Sequence, residues 1–292
     1  MSAVNTGKAG CVQAEAVTLT ILADNRADPP YTAEHGFSVL VEADARRLLF
    51  DVGRGSLFAN ADAAGISLQG VEDLVLSHGH YDHTDALPAV LERVPALRVH
   101  ACAHIRDGHF SKRTGQCRPI GLSPESRSAL DALEPDRLFL YGPGTFVPVF
   151  LGGCAGFIHA IPRLAPEEQP SPLLFADGQC TVPDCMDDEL SVWIDTPAGL
   201  VVITGCCHAG LQNTCEHART LSGGRPLYAV VGGFHLAGTG TRRMTATIEY
   251  LRRQSLRHLV CCHCTGETET DILASALGSV VKQGQCGLRV RL

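Results

Sequence analysis

The sequence predicts an α/β protein in which two β-sheets pack face to face and helices cover both outer surfaces. Three observations predict it. Each half of the chain contains a pair of apolar, β-branched segments joined by a short turn, the pattern of a hairpin. In the second half, helix-patterned and strand-patterned segments then alternate. Finally, 292 residues of which 45% are hydrophobic and 19% charged supply a sizeable buried core, which excludes wholesale disorder.

The elements follow in order. Val17–Ala23 is a β-branched run and reads as a strand. Phe37–Ala43 and Arg47–Val52 read as a hairpin turning at Asp44–Ala45. Ser56–Gly65 is a short helix closed by its glycine. Leu74–Ser77 is a short apolar strand that runs directly into His78. Ala86–Val94 reads as a helix and Leu97–Ala103 as a strand. From about Asp107 to Pro183 the chain is rich in Gly and Pro and weakly periodic. It reads as loops, with a helix near Pro124–Leu133 and strands near Leu138–Tyr141 and Val147–Leu151. Leu190–Asp195 and Leu200–Thr204 form a second hairpin around Pro197–Gly199. Helices at Leu211–Leu221, Arg242–Gln254 and Asp271–Leu277 then alternate with strands at Leu227–Val231 and His258–Cys262. No stretch reads as an interdomain linker, so the expected organisation is an N-terminal extension over 1–16 and one domain over 17–292.

Composition narrows the partners. Lys and Arg number 24 against 31 Asp and Glu, a net charge of −7, which disfavours polyanions and hence nucleic acid. No run of 18 apolar residues occurs, so no membrane span is expected. Met1–Glu15 is polar and lacks the apolar core of a secretory signal, so the expected location is the cytoplasm. The 13 cysteines are odd in number and include the adjacent pairs Cys206–Cys207 and Cys261–Cys262. In a reducing compartment most are expected to be free thiols packed as small core residues. A small-molecule substrate and a homodimer complete the expected partners.

The chemistry concentrates in Ser77-His78-Gly79-His80-Tyr81-Asp82-His83-Thr84. With 13 His in the chain, HxHxDH arises by chance in roughly three such sequences per thousand or fewer. It follows a strand, so the loop leaves a sheet edge at His78. His78 and His80, two apart in extended chain, point the same way. Asp82 and His83 then address a second point a few ångströms off. Neutral imidazoles and a carboxylate suit Zn²⁺, Fe²⁺ or Mn²⁺. Packed together without a cation they would be costly to bury. The consecutive Cys261-Cys262-His263-Cys264 is no zinc knuckle, because adjacent residues of a strand face opposite ways. Here His263 reads as the ligand and the cysteines as packing.

HGHYDH after an apolar strand resembles the metallo-β-lactamase superfamily, an αββα sandwich with a metal site at one edge. Leu49–Gly53 resembles its early strand ending in Asp-x-Gly. Ala33–Phe37, Val202–His208, Gly232–Leu236 and His263–Glu267 together resemble the branch of dihydropterin-ribofuranosyl-aminobenzene phosphate synthases and their bacterial relatives. By that resemblance His78, His80 and a third His form one metal site, and Asp82, His83 and a late His form the other. His263, which follows the last apolar strand, takes the late place. His208 is favoured as the third His over the earlier His159. Cys206 stands where many relatives carry a bridging Asp, so it is either a thiolate ligand or a packed thiol. The expected cofactor is Zn²⁺, two per chain, with Fe or Mn as alternatives.

Asp51 is expected to orient a ligating His by accepting its outer N–H. His235, beside Gly232 and Gly233, is a candidate to hold substrate or stabilise an oxyanion. His35 and the Lys112–Arg113 pair are candidate substrate contacts, the pair for an anion. A bound Zn²⁺ brings the pKa of water from about 15.7 to about 7, and Asp82 can orient that water and shuttle its proton. The expected function is therefore hydrolysis of an ester, lactone, amide or phosphoester by metal-bound hydroxide. The alternatives are the pterin-joining synthase activity of the branch and a mononuclear-iron persulfide dioxygenase.

Overall fold

A computed structural model of the chain describes residues 12–143 and 150–292. The N-terminal extension as far as residue 11, and the strand expected at Val147–Leu151 as far as residue 149, lie outside the described residues.

Sixteen strands are described. They are β1 (Val17–Ala23), β2 (Ser38–Ala43), β3 (Arg46–Phe50), β4 (Asp73–Val75), β5 (Arg98–Cys102), β6 (Phe110–Ser111), β7 (Arg118–Pro119) and β8 (Leu138–Tyr141), then β9 (Ala155–His159), β10 (Leu174–Phe175), β11 (Leu190–Thr196), β12 (Gly199–Thr204), β13 (Leu227–Gly233), β14 (His258–Cys262), β15 (Val281–Gln283) and β16 (Arg289–Arg291). The α-helices are α1 (Ser56–Ala63), α2 (Tyr81–Thr84), α3 (Leu87–Arg93), α4 (Pro124–Asp131), α5 (Leu211–Leu221), α6 (Thr241–Arg252) and α7 (Glu267–Leu277). One seven-stranded sheet runs β16-β1-β2-β3-β4-β5-β8, and a six-stranded sheet runs β15-β14-β13-β12-β11-β9. Both are mixed: β2 and β3 pair antiparallel, β3, β4 and β5 parallel, and β12, β13 and β14 parallel.

The side-chain period of two explains the layering. Val39 and Val41 face inward with Leu19, Ile21 and Phe50, and meet Val192, Ile194, Val201 and Ile203 of the other sheet. Leu40, Leu49 and Leu74 face outward and are covered by Leu57 of α1 and Leu87 and Val90 of α3. Leu200, Val202, Val230 and Leu259 face the opposite outer side, under Leu211 of α5, Leu251 of α6 and Leu273 of α7. The strands are apolar on both faces because both faces are buried. This is the αββα sandwich that the sequence leads one to expect.

Both expected hairpins form. The β2–β3 turn places Asp44 at φ 51°, and β11 pairs with β12 from Val192↔Ile203 to Thr196↔Gly199. The middle segment differs. It contains a third sheet, β10-β6-β7, of two-residue strands too short to show a period. It also carries a Cys117–Cys180 disulfide, whereas adjacent cysteine pairs point to free thiols. Among the described residues, the other ten cysteines form no disulfide with one another. The last helix begins at Glu267, four residues before the expected Asp271. Gly266 starts it, and Glu267 and Glu269 sit in its first turn, where the helix dipole favours acids.

Candidate metal centre

The site lies where several strands end on one edge of the sandwich. At the end of β3, Asp51 takes a left-handed conformation, φ 56°. That turns its carboxylate under the loop after β4. One oxygen accepts the Ser77 backbone N–H at 2.7 Å, and the other accepts the Ser77 hydroxyl at 2.7 Å. The second oxygen also lies 2.7 Å from His83 Nδ1. His83 therefore carries its proton on Nδ1 and turns Nε2 into the site. The Ser77 hydroxyl is in turn 2.8 Å from His78 Nδ1. Having given its proton to Asp51, it accepts one from His78, which frees His78 Nε2 in the same way. There is no room for a side chain at position 205, since a Cβ on Gly205 would collide with that of Ser77.

His78, His80 and His208 are buried, and the Nε2 atom of each lacks a hydrogen-bond partner. The three rings offer ligand atoms within 4.8 Å of one another, with ring centroids 4.4–5.0 Å apart. Burial, reinforced by the neighbouring imidazoles, holds all three pKa values well below the usual histidine range, so the rings are neutral lone-pair donors. Three buried imidazole nitrogens left unpaired at one point would be costly without a cation. The donor set fits a divalent transition metal.

The other half centres on Asp82, presented by the single turn of α2. Its Oδ2 lies 3.2 Å from His35 Nε2, 3.3 Å from His263 Nε2 and 3.9 Å from His83 Nε2. Burial pushes against ionisation, but the neighbouring His83 imidazole and the hydrogen bond from His263 hold Asp82 well below the usual carboxylate range. His263 is left-handed at φ 48°, with its N–H on Asp24 Oδ2 at 3.0 Å and its Nδ1 2.9 Å from Asn25 Oδ1. Cys206 Sγ is 3.2 Å from His83 Nε2. Cys206, His263 and Cys264 offer ligand atoms within 4.8 Å of one another.

Thus His78, His80, Asp82, His83, His208, His263 and Cys206 gather at one centre, with Asp51 behind it. His35, His235 and Arg113 line the ≈ 500 Å³ cavity over it. His235 packs its ring 4.4 Å from that of His208 and takes an N–H from Arg113 at 3.0 Å. His159 lies elsewhere: it ends β9 and lines a separate cavity of ≈ 340 Å³. Lys112 is exposed, and its backbone N–H goes to the Leu173 carbonyl; it does not line the cavity over the centre.

Several contributors are not singled out by the sequence. Cys264 lines the cavity rather than packing in the core, and accepts the His235 backbone N–H at 3.3 Å. Glu189 accepts the backbone N–H groups of His208 and Ala209, fixing the loop that carries His208. Asp188 accepts the Gly79 N–H at 2.6 Å and also bonds His109, whose other nitrogen meets Asp184 at 2.6 Å. The signal for these was the acidic run Asp184 to Glu189 directly before an apolar strand. Asp24 and Asn25 give a similar one, directly after the first strand.

Residues 31–146 match the family model of the metallo-beta-lactamase superfamily. The chain is 30% identical over 249 residues to an uncharacterized protein of Methanocaldococcus jannaschii, covering 85% of this chain and 90% of the relative. It is 26% identical over 253 residues to the 7,8-dihydropterin-6-methyl-4-(β-D-ribofuranosyl)-aminobenzene-5′-phosphate synthase of that organism, covering 81% and 83%. Among solved structures, Tm1679, described as a metal-dependent hydrolase of the beta-lactamase superfamily, superposes with a TM-score of 0.78 at 26% identity, covering 94% of this chain and 98% of that one. YhfI of Bacillus subtilis, a metallo-beta-lactamase fold protein, shares the fold with a TM-score of 0.55 at 12% identity, covering 95% and 100%.

Proposed function

The chain belongs to the metallo-β-lactamase superfamily, and from that premise we propose that it is a metal-dependent hydrolase of a small-molecule ester, lactone, amide or phosphoester. The observation that carries this reading is the convergence of the unpartnered Nε2 atoms of His78, His80 and His208 beside the ionised Asp82. His78, His80 and His208 would hold one ion. Asp82, His83 and His263, with Cys206 beside them, would hold a second. The mixed imidazole, carboxylate and thiol set favours zinc, with iron and manganese compatible with its nitrogen and oxygen members. When bound, such an ion acidifies water and polarises a carbonyl or phosphoryl oxygen.

The chain's own residues do the rest. Asp82 Oδ2, at the floor of the cavity, is placed to accept the proton of an attacking water and return it to the leaving group. His235 carries its proton on buried Nδ1, which has no protein partner, because Arg113 can only donate to its Nε2. His235 lines the cavity beside His208 and is placed to hold substrate there. Ser77, Asp51 and Asn25 bond the outer nitrogens of His78, His83 and His263 and so orient the three rings.

Similarity to the named synthase over 81% of the chain favours a second reading, transfer between a pterin and an aminobenzene phosphate. Elemental analysis of the purified protein, followed by turnover of an ester and phosphodiester panel before and after chelation, tests the first reading. Chelator-sensitive hydrolysis with bound zinc is expected. Hydrolysis indifferent to the chelator would overturn it, and condensation of a pterin donor without hydrolysis would favour the second.

A further inference from the structure

The segment from His109 to Ile120 carries β6 and β7 over the metal-site cavity, and two of its side chains, Arg113 and Arg118, line that cavity. Several guanidiniums of this acidic chain meet carboxylates: Arg26 meets Glu267 at 2.6 Å, Arg98 meets Asp73 at 2.8 Å and Arg225 meets Asp195 at 2.8 Å. Arg113 and Arg118 have no carboxylate partner among the described residues. The carboxylate that shares their cavity, Asp82, is already surrounded by three imidazoles. Two unneutralised, permanently charged forks therefore face one cavity.

Both side chains are exposed, but the hairpin that carries them is fixed from several sides. At the root of the hairpin the Ile120 N–H bonds the His109 carbonyl at 2.8 Å, and the Tyr81 N–H bonds the Ile120 carbonyl at 3.0 Å. The second of these ties the hairpin directly to the turn that presents Asp82 and His83. β6 pairs with β10, and Cys117, the neighbour of Arg118, is joined to Cys180. Arg113 is aimed by its 3.0 Å bond to His235, whose ring rests 4.4 Å from that of His208. Arg113 is thus positioned through a ring that itself packs on a proposed ligand.

We propose that Arg113 and Arg118 form a clamp for a phosphate-monoester group on the substrate, so that the anion is held under the hairpin while the bond to be cut lies over the metal centre. The inference rests on the hydrolase reading and specifies its substrate class. A guanidinium fork matches phosphate oxygens in paired hydrogen bonds, and two forks suit a dianion better than a single carboxylate. Arg118 acts as a binding residue that the sequence does not single out. Lys112, which precedes Arg113, does not line the cavity and takes no part.

The test is calorimetric titration of the metal-loaded protein with methyl phosphate and, separately, with acetate. Wild type, R113Q, R118Q and the double variant are compared, each first shown to be folded by its thermal transition. Methyl phosphate is expected to bind wild type more tightly than acetate. Each single variant is expected to weaken it about tenfold and the double variant to abolish saturable binding. Wild-type affinity should also fall as salt is raised, a readout that needs no variant. Equal affinity in wild type and the double variant, or no binding to wild type, would overturn the clamp. Tighter binding of acetate would overturn the phosphate assignment. Hydrolysis of 4-nitrophenyl acetate by wild type, with and without chelator, reads the hydrolase assignment by itself. Chelator-sensitive turnover without methyl phosphate binding removes the clamp alone, and binding without such turnover removes the hydrolase reading alone.

Discussion

One carboxylate oxygen of Asp51 lies 2.7 Å from both the Ser77 hydroxyl and His83 Nδ1. Through Ser77 it also governs His78, whose Nδ1 sits 2.8 Å from the same hydroxyl. A single buried acid thus sets the tautomers of one imidazole from each proposed half-site. Asp51→Asn keeps the shape but presents an N–H or a weaker acceptor in place of a carboxylate oxygen. Metal affinity is expected to fall by about 10–100-fold, with both halves weakened together because both rings lose their orientation. Competition titration against a chromogenic chelator measures it, and unchanged affinity would remove Asp51 from this role.

The close approach at Gly205 gives a stability prediction. β12 ends there against Ser77, and an added methyl collides with the side chain that links Asp51 to His78. Gly205→Ala should cost about 1–3 kcal/mol as overpacking. It should weaken metal binding as well, because Ser77 has to move. Urea unfolding of the variant, with the same chelator titration, checks both. A loss of stability with intact metal affinity would mean that the strain relaxes away from the site.

Much of this centre is legible in the sequence because its chemistry is local. His78, His80, Asp82 and His83 fall within six residues after an apolar strand, and α2 needs only one turn to present the last two. The layers are legible for a similar reason: Val39, Leu40 and Val41, or Val201, Val202 and Ile203, are apolar at every position because each strand is covered on both faces. What stays hidden is support that crosses the fold. Glu189 reaches the His208 backbone from 19 residues away, and Asn25 reaches His263 from 238 residues away. No periodicity encodes such a meeting. The β10-β6-β7 sheet is hidden differently, since strands of two residues carry no alternation. Its disulfide joins cysteines 63 residues apart, and in a chain with 13 cysteines spacing alone cannot select that pair.

Place favours His208 over His159 as the proposed third imidazole. His208 Nε2 joins those of His78 and His80, whereas His159 ends β9 beside a different cavity. His208→Ala should remove one ion's worth of bound metal and lower turnover by more than the roughly 10–100-fold expected of an outer residue. His159→Ala should leave metal content at the wild-type value. Metal-to-protein ratios from elemental analysis of the two purified variants decide the matter, and the reverse pattern would move the third ligand to β9.

His109 supplies a prediction about pH. It is buried behind His80, with Asp184 at 2.6 Å and Asp188 at 3.2 Å on its two nitrogens. Burial alone would lower its pKa, but the two carboxylates overcome that and hold it up at about 10. The unfolded chain titrates this side chain near about 6.5. Because the folded value is the higher, the imidazolium's contribution to stability is complete below about 6.5 and is lost as pH rises through about 10. Asp188 also holds the Gly79 N–H between His78 and His80, so the loop should loosen over the same window. Urea midpoints of wild type and His109→Gln, measured at pH 6, 8 and 10, should differ most at the lowest pH and converge at the highest. A gap that stays constant, or widens toward pH 10, would show that the charge on His109 does not stabilise the fold.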